Sequence, residues 1–214
     1  MLEPNVKVIK YDVDWREIKN LCRGTIGMDD SLQEPSREWK RKLLISEHSP
    51  LRHSLITIEI DNVPFYVMGH LVRHNVGVTP YVRTSREDRT GVPRSERRQT
   101  DLVDMRMDLN IQSLINISRK RLCNQADTTT QKIWWMVLRE IALIDEDVVF
   151  TCSPEGVRTA GCPECFSNCN ACDNFISTMG FEERQNLMKR YEKYDVKSRA
   201  LKKEFNTVQY RGDE

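Results

Sequence analysis

The histidines of this chain are concentrated in one stretch that also contains arginine. His48, His53, His70 and His74 are its four histidines. His70 and His74 stand four positions apart, which places both on one face of a helix together with Arg73. Three interpretations are open: the polar end of a helix, a metal site, or an anion or cofactor site built from guanidinium and imidazole groups. The HExxH pattern of zinc enzymes is absent here, which disfavours the metal site.

Arginine is concentrated between Arg83 and Arg98. Six arginines stand there against three acidic residues, so the segment is locally positive. Guanidinium groups close to the hydroxyls of Thr84 and Ser85 would suit phosphate, which arginine binds through two hydrogen bonds. The alternative is a solvated, charged surface loop. Because the net charge of the whole chain is only +1, a nucleotide or a phosphorylated cofactor fits this segment better than duplex nucleic acid.

Polar side chains also recur along residues 101–121, whose apolar spacing predicts one long amphipathic helix. Asn110 and Arg121 are eleven positions apart, close to three helical turns, so they should point the same way. Gln112 and Asn116 share another face. These side chains could form an exposed polar face. Alternatively, they could hydrogen-bond a heterocycle that has several carbonyl and ring-nitrogen groups.

The cysteines suggest a separate structural element near the end of the chain. Five of the seven lie between Cys152 and Cys172. Cys162, Cys165, Cys169 and Cys172 form two close CxxC pairs, which could bind zinc through four thiolates. Reduced thiols in a loop and an iron–sulfur cluster are the alternatives.

Length and composition set the class of protein. The chain has 214 residues, 30% of them charged and 39% hydrophobic, which predicts a globular protein with a real core rather than a disordered one. We expect a domain over residues 1–150, followed by a Cys-rich segment and a charged helical tail over residues 151–214. Balanced charge argues against a nucleic-acid or membrane partner. Lacking a long apolar run and a secretion signal, the protein is expected in the cytoplasm.

The pattern of the first 150 residues predicts strands mixed with helices. Alternating isoleucines make residues 55–60 the clearest strand, and Asp61-Asn62 marks a turn after it. The other expected strands are 6–13 and 78–84. The expected helices are 15–22 with Asp14 as N-cap, 36–46, 64–74, 101–121 and 129–143, the last with an N-cap among Thr128 to Thr130.

These residues, in this order, resemble the flavin-dependent thymidylate synthase family over roughly residues 15–145. The matching segments are Arg23-Gly24-Thr25, the stretch 48–53 that ends in His53, Arg73-His74-Asn75 where the family has Arg-His-Arg, Thr84 and Arg86 within its Ser-x-Arg, the stretch Asn110 to Asn116, Arg121, and more loosely Gln131 and Trp134. The resemblance implies an α/β (α+β) fold with a curved antiparallel sheet flanked by helices. It also implies a homotetramer with flavin bound between subunits.

The resemblance further implies reductive methylation of dUMP to dTMP. FAD would be reduced by NADPH, and methylenetetrahydrofolate would supply the methylene unit. Arg121 would be the catalytic residue, through its contact with the pyrimidine. Flavin would contact Thr25, His53, Arg73, His74, Asn75, Asn110, Gln112 and Asn116. Substrate would contact His70, Arg73, Thr84, Ser85, Arg86 and Arg121.

The sequence departs from the family at several of these positions. Asn75 and Gln112 stand where the family has arginine, and His70 stands where it usually has glutamine. The family's Asn-Glu pair is replaced by Tyr81 and Val82. Arg94, Arg97 and Arg98 are candidates for the arginine that grips the substrate phosphate. Two alternatives therefore stay open: modification of another pyrimidine deoxynucleotide such as dCMP, and a non-catalytic nucleotide-binding or interaction module.

Overall fold

The computed structural model describes residues 3–122 and 126–152. These residues form an antiparallel four-stranded sheet in the order β1-β2-β4-β3. The strands are β1 Asn5–Asp12, β2 Leu55–Pro64, β3 Val78–Val82 and β4 Leu102–Leu109. The helices are α1 Trp15–Gly24, α2 Arg37–Ser46, α3 Phe65–Leu71, α4 Glu87–Thr90, α5 Ile111–Arg121 and α6 Thr128–Ala142, with 3-10 turns at Ser49–His53 and Arg94–Glu96. The predicted α+β class is confirmed.

One face of the sheet packs against the core. Ile56, Ile58 and Ile60 of β2 are fully buried while the residues between them are not, which is the expected period of a half-buried strand. α5 and α6 belong to the same core, and Trp134 of α6 is fully buried in it. The indole of Trp134 donates to the Ser118 hydroxyl of α5 at 2.9 Å, so the two helices are joined by a hydrogen bond as well as by packing.

The prediction of one long helix over residues 101–121 is wrong for the first half of that range. Residues Leu102–Leu109 form β4, in which Val103, Met105 and Met107 are buried alternately with polar residues. Asn110 then ends the strand, and its side chain accepts from the Ser113 amide as the N-cap of α5.

Other boundaries differ by a few residues. Asp61-Asn62 is not a turn between elements but an irregularity inside β2, where Asn62 adopts a φ of 58°. The helix predicted over 64–74 ends at Leu71, and the strand predicted over 78–84 ends at Val82. The Asp14 N-cap is confirmed. The cap of α6 is Asp127 rather than one of the threonines after it.

Two carboxylates fasten the segment after α6 to the first half of the chain. Asp145 accepts from the Tyr11 hydroxyl and from the Trp15 indole, at 3.0 and 2.6 Å. Asp147, which is buried, accepts from the Nε atoms of Arg37 and Arg41. The segment that leads to Cys152 is therefore held against the first half of the chain. No helix within residues 3–122 and 126–152 has the length and apolar character that a membrane span requires.

Candidate functional site

The guanidinium of Arg121 occupies the C-terminal end of α3. Its Nε lies 2.9 Å from Nε2 of His74, and its Nη2 donates to the backbone carbonyl of His70. The last carbonyls of a helix lack partners within the helix, and they carry the negative end of its dipole. Arg121, the last residue of α5, supplies both a donor and a positive charge there. This arrangement explains why Arg121 and His74 meet although 47 residues separate them.

His74 is held as a neutral imidazole. The Nε of Arg121 can only donate, so Nε2 of His74 must accept and the ring proton must sit on Nδ1. Burial, followed by the charges of Arg121 and Lys120, lowers the pKa of His74 from 6.5 to about 4. At neutral pH the ring therefore offers an N–H donor and adds no charge.

A second guanidinium, that of Arg73, lies close to the Arg121 guanidinium that contacts this ring. Burial and the nearby charge of Arg73 lower the pKa of Arg121. Among the residues that the structure describes, neither Arg73 nor Arg121 forms an ion pair with Asp or Glu. Two close guanidinium groups repel each other, and a bound anion or electron-rich ring would relieve that repulsion.

His70 lies next to Arg121 and is tied to α6. Its Nδ1 is 2.9 Å from the hydroxyl of Thr130, which is fully buried. That hydroxyl lies 2.9 Å from the carboxylate of Asp127. Sequence reasoning missed Asp127 and Thr130 as site residues. The available signal was the position of Asp127, three residues before a threonine at the start of a predicted helix. This pattern indicates only an N-cap.

The loop that contains Asn75 is clamped against the start of α5. The Ser113 hydroxyl lies 2.9 Å from the carbonyl oxygens of Val76 and Gly77, and also 2.9 Å from Asn110 Oδ1. Gly77 has a φ of +68°, and a Cβ there would come within 2.5 Å of Ser113 Oγ. Only glycine allows this approach. Asn75 and Asn110, both predicted flavin contacts, are thereby held at one end of α5.

The other two predicted contacts on α5 lie beside a buried ion pair. Glu47 forms a two-point pair with the guanidinium of Arg119, and both side chains are largely buried. Gln112 Nε2 donates to the same carboxylate at 2.8 Å, and it lies 3.4 Å from Asn116 Oδ1. Gln112 and Asn116 therefore share a face, as expected, but one Gln112 donor is already used by Glu47. No pattern in the sequence indicates the Glu47–Arg119 pair.

His53 and Thr25 lie on elements that pack near this face. The 3-10 turn Ser49–His53 contacts both α1 and α5. His53 is exposed, and its Nε2 lies 3.0 Å from Glu17 of α1. Thr25 caps the C-terminal end of α1, and its hydroxyl donates to the Cys22 carbonyl. Both side chains are accessible to a ligand.

Thr84, Ser85 and Arg86 follow the opposite end of β3 from Gly77 and the loop that contains His74. Gly77 precedes the start of β3, whereas Arg83 still pairs with β4 at the other end, through its amide to Asp104. Six extended residues place the two ends roughly 20 Å apart. Arg86 also pairs with Asp88, with Nε–Oδ1 2.8 Å and Nη2–Oδ2 3.0 Å. Arg94 and Arg98 are exposed on the same segment, and Arg97 donates to the Thr90 hydroxyl.

The donor set suits a flavin nucleotide better than a metal. Guanidinium, imidazole N–H and amide groups bind phosphate, carbonyl and ring-nitrogen atoms. Arg73, Asn75 and Asn116 are exposed and make few or no competing contacts with the part of the chain that the structure describes. No group of three or more His, Cys, Asp or Glu side chains within residues 3–122 and 126–152 is arranged to hold a metal ion. The predicted zinc ligands Cys162, Cys165, Cys169 and Cys172 lie outside the described residues.

Comparisons with known proteins identify the fold. No protein-family model and no curated protein sequence matches the chain. Among solved structures, it is similar to the UMP/dUMP methylase PolB of Streptomyces cacaoi, bound with 5-Br dUMP. The identity is 12% and the TM-score 0.55, covering 68% of this chain and 93% of that one. It is also similar to thymidylate synthase X of Helicobacter pylori, solved with FAD and dUMP. The identity is 12% and the TM-score 0.54, covering 68% of this chain and 99% of that one. The described chain therefore has the fold of the flavin-dependent thymidylate synthases.

Proposed function

We propose that this protein methylates dUMP to dTMP with bound FAD, using methylenetetrahydrofolate and NADPH. One observation carries the proposal beyond the fold: the guanidinium of Arg121 lies beside the neutral ring of His74 and close to the charge of Arg73, and neither arginine has a carboxylate partner in the described chain. Such a group is suited to an anionic nucleotide and an electron-rich ring.

Arg121 is the proposed catalytic residue. Two of its nitrogens are fixed by His74 and by the His70 carbonyl, and among the described residues no partner occupies Nη1, which could therefore bind a ligand. A fixed guanidinium would donate to a carbonyl oxygen of the uracil ring. It would stabilise negative charge as that charge develops, without having to reorient during the reaction.

The flavin would be held by residues from the C-terminal end of α1, from α5, from the loop after α3, and from the turn before β2. These are Arg73, His74, Asn75, Asn110, Gln112, Asn116, His53 and Thr25. When bound, FAD supplies hydride transfer, the chemistry that amino acids lack. The Nδ1–H of His74 and the amide groups would orient the ring system, and Arg73 would contribute charge toward its phosphates or toward the substrate.

The described cysteines do not offer an activated nucleophile, which supports a flavin route. Burial raises the pKa of Cys152 to about 12, and the pKa of Cys22 is also raised by burial. A thiol becomes a nucleophile as the thiolate, so a raised pKa works against that role. A route in which hydride comes from flavin does not require an attacking cysteine.

We propose that the site is completed by another copy of the chain, in a homotetramer. The reason is geometric: Thr84, Ser85 and Arg86 lie at the far end of β3 from His74 and Arg121. If they bind the substrate phosphate, they must do so in a neighbouring subunit's site. Mixing two inactive variants, Arg121→Ala and Arg86→Ala, should then restore part of the activity, because some sites would combine intact residues from both chains.

A second candidate keeps the chemistry and changes the nucleotide. His70 stands where the family usually has glutamine, and one similar structure is described as a UMP/dUMP methylase. Purified protein with FAD, NADPH and methylenetetrahydrofolate should therefore be given dUMP, UMP and dCMP in parallel, with products separated by mass spectrometry. dTMP as the main product supports the first proposal. A methylated product from UMP or dCMP alone would replace it with the second.

Arg121→Ala tests the assigned role within the same assay. Turnover should be lost while FAD remains bound. Arg106→Ala is the matched control, because Arg106 is exposed and pairs with Glu59 on the open face of the sheet. Turnover that survives in Arg121→Ala would contradict the catalytic assignment.

A further inference from the structure

A chain of three polar side chains runs from the start of α6 to His70. Asp127 Oδ2 accepts from the Thr130 amide at 2.8 Å and lies 2.9 Å from the Thr130 hydroxyl. The same hydroxyl lies 2.9 Å from His70 Nδ1. Thr130 is fully buried, so water does not compete for its single hydroxyl proton.

The direction of these hydrogen bonds follows from counting protons. A carboxylate has only acceptors, and a hydroxyl has one proton to donate. The Thr130 proton must therefore point at Asp127, which leaves the Thr130 oxygen as an acceptor toward His70. Nδ1 of His70 must then be protonated, and whenever the ring carries a single proton its Nε2 is an acceptor.

We infer that Asp127 and Thr130 are positioning residues that hold His70 in the Nδ1–H tautomer and leave its Nε2 as a hydrogen-bond acceptor. The backbone carbonyl of His70 binds the Arg121 guanidinium, so the residue that carries this acceptor also contacts the proposed catalytic residue. The ring of Tyr66 packs edge-on against His70, with centroids 5.9 Å apart. His70 is thereby held by Thr130 and by Tyr66. Within the described chain, its Nε2 makes no hydrogen bond.

The consequence for the ligand rests on the proposed function. A glutamine amide can turn to present either a donor or an acceptor, whereas a neutral His70 fixed in this way presents only an acceptor. The group that faces it must then be an N–H donor on the edge of the pyrimidine. Arg121 presents only donors, which suit a carbonyl oxygen. A nucleotide that contacts both residues would therefore need a donor for His70 and an acceptor for Arg121 on its base.

The first test needs no ligand. In protein labelled with ¹⁵N-histidine, long-range ¹H–¹⁵N spectra at alkaline pH distinguish a protonated ring nitrogen from an unprotonated one, and the His70 signals are those lost in His70→Gln. We expect the Nδ1–H tautomer in the wild type and in Thr130→Ser, which keeps the hydroxyl. In Thr130→Val, which keeps the shape but removes the acceptor, we expect a mixture or the other tautomer. An Nε2–H signal in the wild type, or an unchanged Nδ1–H signal in Thr130→Val, would overturn the inference.

The second test measures the consequence for the nucleotide. In Thr130→Val, the KM for dUMP should rise roughly tenfold, the effect of one hydrogen bond, with kcat little changed because substrate and transition state are bound alike. Thr130→Ser should restore the wild-type KM. A KM that is the same in the valine and serine variants would contradict the positioning role toward substrate. Since the spectra use the free protein, absence of dUMP turnover in the wild type would count against the proposed function and leave the tautomer result standing.

Discussion

Arg121 Nε and His74 Nε2 lie 2.9 Å apart, so a guanidinium donates directly to a neutral imidazole. This contact joins the end of α5 to the loop that follows α3. It fixes which His74 nitrogen bears the proton, and it positions two residues that the family resemblance had assigned separately to flavin and to substrate. Several consequences of the contact and of its surroundings can be measured.

Because His74 is neutral in the folded protein, the free energy of unfolding should be smaller at mildly acidic pH. Its pKa is about 4 in the folded protein and 6.5 ordinarily. Between these values the unfolded chain takes up a proton that the folded chain does not. The His74 contribution to the free energy of unfolding is therefore full above pH 6.5 and is lost as the pH falls toward 4. Urea unfolding across this range measures it.

His74→Gln is the matched variant for this prediction. The glutamine oxygen can still accept from Arg121, but the side chain does not titrate. Part of the loss of stability between neutral and acidic pH should disappear in the variant. Identical pH profiles in the two proteins would show that His74 is not held neutral as described.

Gly77→Ala should be considerably more costly than Gly91→Ala. Both glycines have a φ near +70°, but a Cβ at Gly91 meets nothing within 4 Å, whereas one at Gly77 meets Ser113 Oγ at 2.5 Å. We expect a loss of about 1 kcal/mol at Gly91, from the backbone alone, and about 2–4 kcal/mol at Gly77, from backbone and overpacking together. Thermal unfolding of both variants measures the difference. Equal losses would mean that the clamp on this loop is unimportant.

The free energy of unfolding should be much more sensitive to substitution of Glu47 than to substitution of an acidic residue in an exposed ion pair. Glu47→Gln would leave the charge of the largely buried Arg119 without its carboxylate, which we expect to cost about 3 kcal/mol. Glu38→Gln is the control. Its ion pair with Lys42 is exposed, and such pairs are worth at most about 0.5 kcal/mol. Denaturant unfolding distinguishes the two, and a similar small loss in both would contradict the assigned role of Glu47.

Arg121→Lys should behave as a severe change although it keeps the charge. A lysine cannot bind His74 and the His70 carbonyl in the geometry of a guanidinium. We expect kcat/KM for dUMP to fall by about a hundredfold or more, while Arg106→Lys on the exposed sheet face stays close to the wild type. Steady-state assays measure both. A kcat/KM in Arg121→Lys near that of the control would show that the fixed guanidinium is not needed.

The sequence predicted the fold well wherever local and tertiary preferences agree. The alternating isoleucines of β2 and the Asp14 cap of α1 each have a single simple interpretation, and both are confirmed. β4 was mistaken for helix because Leu102, Met105 and Leu109 match helical spacing, and leucine and methionine favour helices. The alternation of Val103, Met105, Met107 and Leu109 was equally present in the sequence. Pairing with β2 and β3 decides in favour of the strand.

The candidate site was predictable only in part. Arg73, His74, Asn110 and Arg121 could be selected from a resemblance in order and spacing. Glu47, Asp127 and Thr130 could not, because their roles depend on contacts across 60 to 72 residues or on a buried hydroxyl. Contacts between residues so far apart in the chain leave no periodic pattern in the sequence.

The most direct test of the flavin proposal is the visible absorbance of the protein after incubation with FAD and desalting, before and after dUMP is added. The account predicts that FAD is retained, and that dUMP perturbs its absorbance bands in the wild type and in Arg106→Lys but not in Arg121→Lys. Loss of all added FAD on desalting, with and without dUMP, would contradict it.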